Sequence, residues 1–378
     1  MPLAVLSAAL PFFLAALLAG QASVPVESAS TLLKGASDAL AAGRDTEAAE
    51  AFEKILAIDS NLPDAYVGLG IALARLGRYS AAVAAFEQGI RRAPGNAALH
   101  YNLGVVHQAE GRYVEAAVEY REAIRAKPQF VDALSNEALV YGKLGRFADV
   151  IDACDSLLRV TPRNARAHYT KGWALSRLDR WTEAIDAYIG ALAIDARYVD
   201  ASVALGIAYS QLGREEKAID TLRAAVVLEP TRVDTHIALG ASYGNVERWD
   251  AAVTEFEAAI ALDPRAAAAH YNLGRAYAGL ARRGAAIGAY TEAIRLDRDY
   301  GEAHFKLAVA YADAGRHADA IAHYKEALRV KPDYAAARFN LALSLFATGQ
   351  RAAALDEERA LRAVDDNLAD QLHRLISK

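Results

Sequence analysis

The chain has 378 residues, a net charge of −5 and one cysteine, and 54% of its residues are hydrophobic. Because the charge is negative, no global attraction to nucleic acid or to an anionic membrane surface is expected. The single thiol, Cys154, excludes an internal disulfide.

The start of the chain, over 1–22, differs in composition from the rest. An almost unbroken apolar run over 3–19 precedes two small residues, Gly20 and Ala22. Small residues at this spacing are recognised by signal peptidases. The sequence therefore predicts an export signal over 1–22 and a linker over 23–28, although no Lys or Arg precedes the run.

A retained membrane anchor is the alternative interpretation of the same run. The run over 3–19 includes Pro11 near its middle and is at the short limit for crossing a bilayer. Contact with a membrane is expected only if this segment is retained. In either case the mature chain is predicted to be extracytoplasmic, that is, periplasmic or secreted.

Beyond the linker, one 34-residue unit is repeated ten times over 29–368 without insertion or deletion. We number the copies one to ten: 29–62, 63–96, 97–130, 131–164, 165–198, 199–232, 233–266, 267–300, 301–334 and 335–368. In seven copies a glycine marks the middle of the unit: Gly43, Gly77, Gly111, Gly145, Gly213, Gly315 and Gly349. A unit this short cannot bury its own apolar face, so the copies are expected to stack into a solenoid.

Each copy has the pattern of two helices joined by a turn. A minimal side chain, such as Gly104, lies seven residues before the turn glycine, and an alanine, such as Ala116, usually lies five residues after it. Apolar positions spaced by three and four on both sides indicate helices. The glycine is suited to end the first helix. Prolines follow the second helix in six copies: Pro94, Pro128, Pro162, Pro230, Pro264 and Pro332.

This arrangement of small, aromatic and proline positions resembles the tetratricopeptide repeat. The resemblance implies an all-α fold, a right-handed superhelical α-solenoid of ten helix–turn–helix repeats. Three copies have Asp179, Glu247 or Ala281 in place of the turn glycine. Their turns are expected to close differently, with Gly244 and Gly284 as substitutes.

The predicted binding surface is the concave groove lined by the first helix of each repeat. A helical projection places one stripe of that helix opposite the buried stripe. Aromatic and amide side chains there suit an extended peptide, because rings cover apolar side chains and amides bond to peptide groups. The candidate protein- and peptide-binding residues are Tyr101, Asn102, Asn136, Tyr169, Trp173, Tyr271, Asn272, Arg275, Phe305, Phe339 and Asn340.

Asparagine ladders at this repeat position grip peptide backbones in some tetratricopeptide proteins, and the four asparagines above match that position. Thr170, Ala204 and Ala238 interrupt the ladder, which predicts two binding segments. No catalytic motif, metal cluster or cofactor site is recognised. The sequence predicts a non-catalytic scaffold that organises an extracytoplasmic complex, with a membrane-tethered adaptor as the alternative.

Two recurring basic residue types have a simpler interpretation than a ligand site. Arginine follows the turn in nine copies, from Arg44 to Arg316, and a ridge of this kind could bind a polyanion. Compensation of helix ends is the preferred interpretation. Five histidines share one phase, and parallel side chains in stacked repeats are expected to pack and not to converge on zinc: His100, His168, His236, His270 and His304.

Copy four departs from the repeat pattern. Cys154 replaces an aromatic residue and Leu157 replaces a small one, which predicts compensated packing. Glu137 and Lys171 occupy a leucine position in adjacent copies, so they are predicted to form an ion pair. Beyond copy ten, residues 369–378 are predicted to form a capping helix.

Overall fold

The computed structural model describes residues 26–377, which form helices connected by short turns and include no strand. The all-α fold predicted from the repeat is confirmed. The predicted export signal and residues 23–25 of the predicted linker lie outside the described residues. The linker prediction is wrong for residues 26–28, because the first helix already begins at Val26.

The helices fall into two compact units, of which the first ends at Ala196. Its five helix pairs each consist of a first and a second helix, as the repeat predicts. The first helices are α1 (Val26–Ala41), α3 (Pro63–Arg75), α5 (Ala97–Ala109), α7 (Val131–Lys143) and α9 (Ala165–Arg177). The second helices are α2 (Asp45–Ile58), α4 (Tyr79–Arg92), α6 (Tyr113–Ala126), α8 (Phe147–Val160) and α10 (Trp181–Ile194).

The second unit begins at Arg197 and contains five further pairs and a terminal helix. Its first helices are α11 (Val199–Gln211), α13 (Val233–Asn245), α15 (Ala267–Gly279), α17 (Gly301–Asp313) and α19 (Ala335–Ala347). The second helices are α12 (Glu215–Leu228), α14 (Trp249–Leu262), α16 (Arg283–Leu296), α18 (His317–Val330) and α20 (Arg351–Arg362), and α21 spans Asp366–Ile376.

The turn glycine ends the first helix in a left-handed conformation. At Gly77 φ is +73°, and the Arg78 amide donates to the Leu73 carbonyl at 2.9 Å. A bond of this span closes a Schellman motif, which satisfies a carbonyl that the helix leaves free. The second helix then begins one residue later, at Tyr79.

The turns without glycine close in the same way, so the expectation of a different closure through Gly244 and Gly284 is wrong. Asp179, Glu247 and Ala281 themselves adopt φ values of 56° to 58°. In each turn the following arginine amide bonds to the carbonyl five residues back, as at Tyr277, where the distance is 2.8 Å. These three residues retain the left-handed conformation at a cost of roughly 1–2 kcal/mol each.

Close packing of the two helices explains the small residue in the first helix. A Cβ atom added to Gly104 would lie 2.8 Å from the Tyr120 ring. Tyr120 is fully buried between the helices of its pair. Only a minimal side chain leaves room for such a ring, which is why the two positions recur together.

The predicted ion pair between Glu137 and Lys171 is wrong. The Glu137 carboxylate lies 3.8 Å from Nε of Arg121, and Lys171 Nζ lies 2.5 Å from the Asp155 carboxylate. Glu137 and Lys171, both on first helices, therefore each contact the second helix of the preceding repeat. Equivalent residues of adjacent copies are separated by that second helix.

The terminal helix begins at Asp366, three residues before the predicted start at 369. The Asp365 carboxylate accepts from the Leu368 amide at 2.9 Å and caps this helix. Leu372 and Ile376 are fully buried against the last repeat.

The helices between residues 26 and 377 include none that is long and apolar enough to cross a membrane.

Candidate functional site

Three aromatic side chains pack together in several repeats, and we call such a set a ring triad. One ring lies on the first helix, one on the second helix of the same repeat, and one just before the next first helix. In repeat three the Tyr101 ring centroid lies 5.9 Å from that of Tyr120 and 4.8 Å from that of Phe130. Repeat eight has the same arrangement around Tyr271, and repeat nine around Phe305.

The ring triads bury part of the predicted binding surface. Tyr101 is 4% exposed, Asn102 2% and Phe305 9%, so their predicted exposure on a groove is wrong. A projection of an isolated helix places these residues outward, but the second-helix ring and the loop ring cover Tyr101 and Phe305. Burial raises the pKa of Tyr101 to about 12, so its hydroxyl remains protonated at neutral pH.

The remaining predicted residues are partly exposed. In the first unit these are Asn136, Tyr169 and Trp173. In the second unit they are Tyr271, Asn272, Arg275, Phe339 and Asn340. All of them lie on the first helices, so a solvent-accessible row of rings and amides exists in each unit.

The predicted asparagines are fixed by their own helices. The amide nitrogens of Asn102, Asn272 and Asn340 each donate to the carbonyl four residues back, at 2.8–2.9 Å. Asn136 differs, because its amide nitrogen lies 3.4 Å from the hydroxyls of both Tyr101 and Tyr120. The ring triad of repeat three thus orients Asn136 at the start of repeat four.

Repeat four has small side chains at all three positions of the ring triad: Ser135, Cys154 and Asn164. A pocket of about 180 Å³ lies there, and the predicted compensation by Leu157 is incomplete. Its floor consists of buried side chains, among them Cys154 and Leu157. Its rim includes Leu139, which is 43% exposed, so the pocket opens to solvent between α7 and α9.

The thiol on the floor of the pocket is part of its apolar lining. Burial raises the pKa of the Cys154 thiol to about 12, so this thiol is neutral near pH 7 and behaves as a small apolar group. The polar groups at the rim are Asn136, Asn164, Arg166 and Thr170. Sequence reasoning noticed Cys154 but missed the pocket; the signal was that the three equivalent positions of this copy hold neither an aromatic nor a large aliphatic residue, whereas repeat six, which also lacks rings there, has Val203 and Leu222.

Trp173 follows the pocket residue Thr170 on α9 and belongs to an aromatic cluster. The Trp173 ring meets the Phe147 ring edge-on, with centroids 5.3 Å apart. The Arg177 guanidinium stacks on the Phe147 ring, 5.1 Å from its centroid. A Cβ atom at Gly142 would lie 3.2 Å from the Trp173 ring, so the indole rests against α7. The cluster places a large, partly exposed ring on α9, three residues beyond Thr170 of the pocket.

The second unit has its own cavity on the first-helix face, of about 440 Å³. Trp249 and Tyr290 supply rings, and Arg275, Arg283 and Lys306 supply positive charge against one acid, Asp313. Of the predicted residues only Arg275 lines it. Its guanidinium also donates to Asn272 at 3.1 Å.

The arginines that follow the turns are largely neutralised by acids. Arg44, Arg112, Arg146, Arg180 and Arg316 each pair with an acid three residues later, at 2.6–3.1 Å. Such exposed pairs stabilise the fold little. They do reduce the positive field that a polyanion-binding ridge requires.

The histidines of the shared phase are packed, as predicted. The Nε2 atoms of His100, His236 and His304 lie 2.9–3.1 Å from a carbonyl six residues back, in the loop before the first helix. Their Nδ1 atoms contact the second helix of the same repeat, for example Glu119 at 2.7 Å from His100. These contacts fasten the loop to the helix pair. No group of three potential metal ligands occurs within residues 26–377.

Comparison with protein families identifies the repeat. A family model described as tetratricopeptide repeat matches residues 67–129, 135–198, 171–232 and 275–329, which is more than half of the chain. A second model, described as TPR repeat, matches 247–280 and 310–349. No curated protein matches the chain.

Solved structures with a similar fold include the APC/C hetero-tetramer Cut9-Hcn1, at 14% identity and a TM-score of 0.52. That match covers 93% of this chain and 96% of the other, and it shows the fold. MamA is 25% identical over 45% of this chain and 92% of its own, with a TM-score of 0.43. YrrB, described as a TPR protein with an unusual peptide-binding site, is 19% identical over 50% of this chain and 96% of its own, with a TM-score of 0.40.

Proposed function

The chain belongs to the tetratricopeptide-repeat family, and from this premise we propose that it is a non-catalytic scaffold that binds proteins or extended peptides along its first helices. The first-helix face is the surface that a solenoid of helix pairs offers to a partner. The observation that supports this function best is the open pocket of repeat four, with exposed Leu139 at its rim and partly exposed Trp173 further along α9.

The chemistry of this face indicates what kind of partner fits. Large apolar side chains that remain accessible in a folded protein favour contact with apolar side chains of another chain. Around both cavities the cations outnumber the acids: Arg166 is the charged residue at the first, and Arg275, Arg283 and Lys306 face Asp313 at the second. The partner therefore presents apolar side chains and acidic ones.

Affinity capture with matched variants tests the function. Leu139→Ser with Trp173→Ser removes apolar surface from the first-helix face. Val114→Ser with Val118→Ser removes two exposed valines, 60% and 51% exposed, from the second helix α6. We expect specific partners to be recovered from cell extract by wild type and by the valine variant, and to be lost from the Leu139/Trp173 variant.

Equal recovery of every partner by all three proteins would move the interface away from the first helices. Loss from the valine variant alone would assign binding to the second-helix face instead. Circular dichroism of each variant serves as the folding control, because all four substitutions are at partly exposed sites.

We further propose that the scaffold is exported and organises an envelope or surface complex, on the basis of the apolar run over 3–19 and the small residues at 20 and 22. Cell fractionation with N-terminal sequencing of the mature protein tests this. A new terminus at Ser23 in an extracytoplasmic fraction is expected. Recovery in the membrane fraction with residues 1–22 intact would instead support the tethered adaptor.

A further inference from the structure

Repeat four lacks the rings that fill the same place in other repeats, and the space that results has a defined shape. Around Tyr101, Tyr271 and Phe305, the first-helix ring has both partner centroids within 4.8–6.0 Å. In repeat four, Ser135 occupies the first-helix position and Cys154 the second-helix position. The pocket thus lies where repeats three, eight and nine hold aromatic side chains.

The size of the pocket matches one aromatic ring. It measures about 180 Å³. An apolar protein cavity of about 150 Å³ is known to accommodate benzene. The floor suits a ring, because Ala138, Cys154, Leu157 and Ala167 are each at most 4% exposed and none is charged.

The rim has one cation whose position is unusual for this protein. Arg166 lies in the first turn of α9, where the helix dipole disfavours positive charge. The equivalent position in copies two to four and six to ten is occupied by an acid or by alanine: Asp64, Ala98, Asp132, Asp200, Asp234, Ala268, Glu302 and Ala336. Among residues 26–377, Arg166 has no ion-pair partner.

We propose that the repeat-four pocket is a socket for an aromatic side chain of an extended peptide, with a carboxylate next to that side chain bound by Arg166. The ring occupies space that a ring triad fills in repeats three, eight and nine. Asn136, whose amide nitrogen is held by the Tyr101 and Tyr120 hydroxyls, presents its carboxamide oxygen to a peptide N–H at the rim. This inference rests on the proposed function and names the partner chemistry for one site.

The test uses the full chain and three small probes. 3-Phenylpropionate has a ring and a carboxylate, 3-phenylpropanamide has the ring alone, and propionate has the charge alone. Ligand-observed NMR titration is expected to give 3-phenylpropionate a Kd of about 1 mM, in the range for a ligand of this size. The amide should bind about two- to fivefold more weakly, since it lacks the contact with Arg166. Propionate should not bind detectably.

Variants locate the binding. Ser135→Tyr with Cys154→Tyr restores the residue types of repeats three and five and should abolish binding of 3-phenylpropionate. Ser135→Ala with Cys154→Ala leaves the pocket open and should retain it. Arg166→Gln should lower the affinity for 3-phenylpropionate to that for the amide. Arg163→Gln, which changes an exposed arginine in the loop nearby, should leave the affinity unchanged.

A measurement on the wild type does not depend on how the variants fold. Nuclear Overhauser contacts between the probe ring protons and the methyl groups of Leu157 and Ala167 are expected. Absence of binding to wild type, undiminished binding to the folded double-tyrosine variant, or contacts to methyl groups elsewhere would each overturn the socket. A different result would contradict the scaffold function: recovery of the same partners, in equal amounts, by wild type and by the Leu139/Trp173 variant.

Discussion

Repeats three and four are adjacent, have the same length and turn, and differ in what fills the space between their helices. Repeat three has Tyr101, Tyr120 and Phe130 packed ring against ring. Repeat four has small side chains at the same three positions and a pocket of about 180 Å³ in their place. The same backbone plan therefore yields a filled core in one repeat and a cavity open to solvent in the next.

The difference separates two roles that one sequence pattern cannot distinguish. Aromatic residues on the first helices look like binding residues because they project away from the buried stripe. In repeat three they belong to the core, since Tyr101 is almost fully buried. In repeat four the feature that we propose for binding is the space left by the absence of these rings.

Removing a ring from repeat three should have the greatest effect on stability. Tyr101→Ala deletes a buried aromatic side chain, so we expect a loss of about 3–5 kcal/mol in the free energy of unfolding. Ser135→Ala at the equivalent site of repeat four should cost less than about 1 kcal/mol. Denaturant titration followed by circular dichroism measures both. A small loss for Tyr101→Ala would remove the distinction between the two repeats.

The turns should not distinguish the two repeats. Gly111 and Gly145 have φ values of +77° and +69°, so alanine at either is expected to cost about 1–2 kcal/mol. Ala281→Gly, at a turn whose residue has φ of +56°, should give a gain of similar size. Thermal unfolding checks all three. Unequal costs at Gly111 and Gly145 would mean that the difference between the repeats extends beyond their cores.

A buried acid is a second difference between the repeats, because Glu137 replaces the leucine that repeat three has at 103. A double-mutant cycle should give a coupling of about 0.2–1 kcal/mol between Glu137 and Arg121 and none between Glu137 and Lys171. A measurable coupling to Lys171 would contradict the structure.

The pH dependence of the same site has a defined sign. Burial raises the pKa of the Glu137 carboxyl above its unfolded value, so ionisation opposes folding. The stability that the protonated carboxyl contributes to the fold is fully present below the unfolded pKa. It is lost as the pH rises through the folded pKa. The Glu137→Gln variant should therefore gain more stability over wild type at pH 8 than at pH 4. Thermal unfolding of both proteins at the two pH values measures this difference. An equal effect at both pH values would contradict the burial of this group.

Arg166 should produce a small change in stability. A cation in the first turn of α9 opposes the helix dipole, so Arg166→Gln is expected to stabilise the protein by about 0.3–1 kcal/mol at low salt. Arg177→Gln, in the last turn of the same helix, should destabilise it, because there the dipole favours a cation. A loss of stability for Arg166→Gln would show that this guanidinium supports the fold.

The sequence was sufficient to predict the fold because its periodic positions are local. A small residue, a turn residue and an aromatic residue at fixed spacing determine one helix pair, and repetition determines the stack. The interpretation of Asp179, Glu247 and Ala281 failed because the bond pattern around a turn, and not the residue type, held the left-handed conformation.

The candidate site was predictable only in part. Trp173 and Asn136 are partly accessible, as the helical projection suggested, but Asn102 is buried, and Tyr101 and Phe305 are covered by rings from the second helix and from the loop that follows it. A single-helix projection does not contain those neighbours. The pocket depends on three residues from three elements, and the pairing of Glu137 with Arg121 depends on the second helix of another repeat.

Partner capture by the ring-restored protein tests most directly whether rings fill the repeats and their absence creates the binding site. The Ser135→Tyr, Cys154→Tyr protein should be as helical as wild type, yet lose the partners that wild type and the Ser135→Ala, Cys154→Ala protein recover. Full recovery of those partners by the folded ring-restored protein would contradict this account.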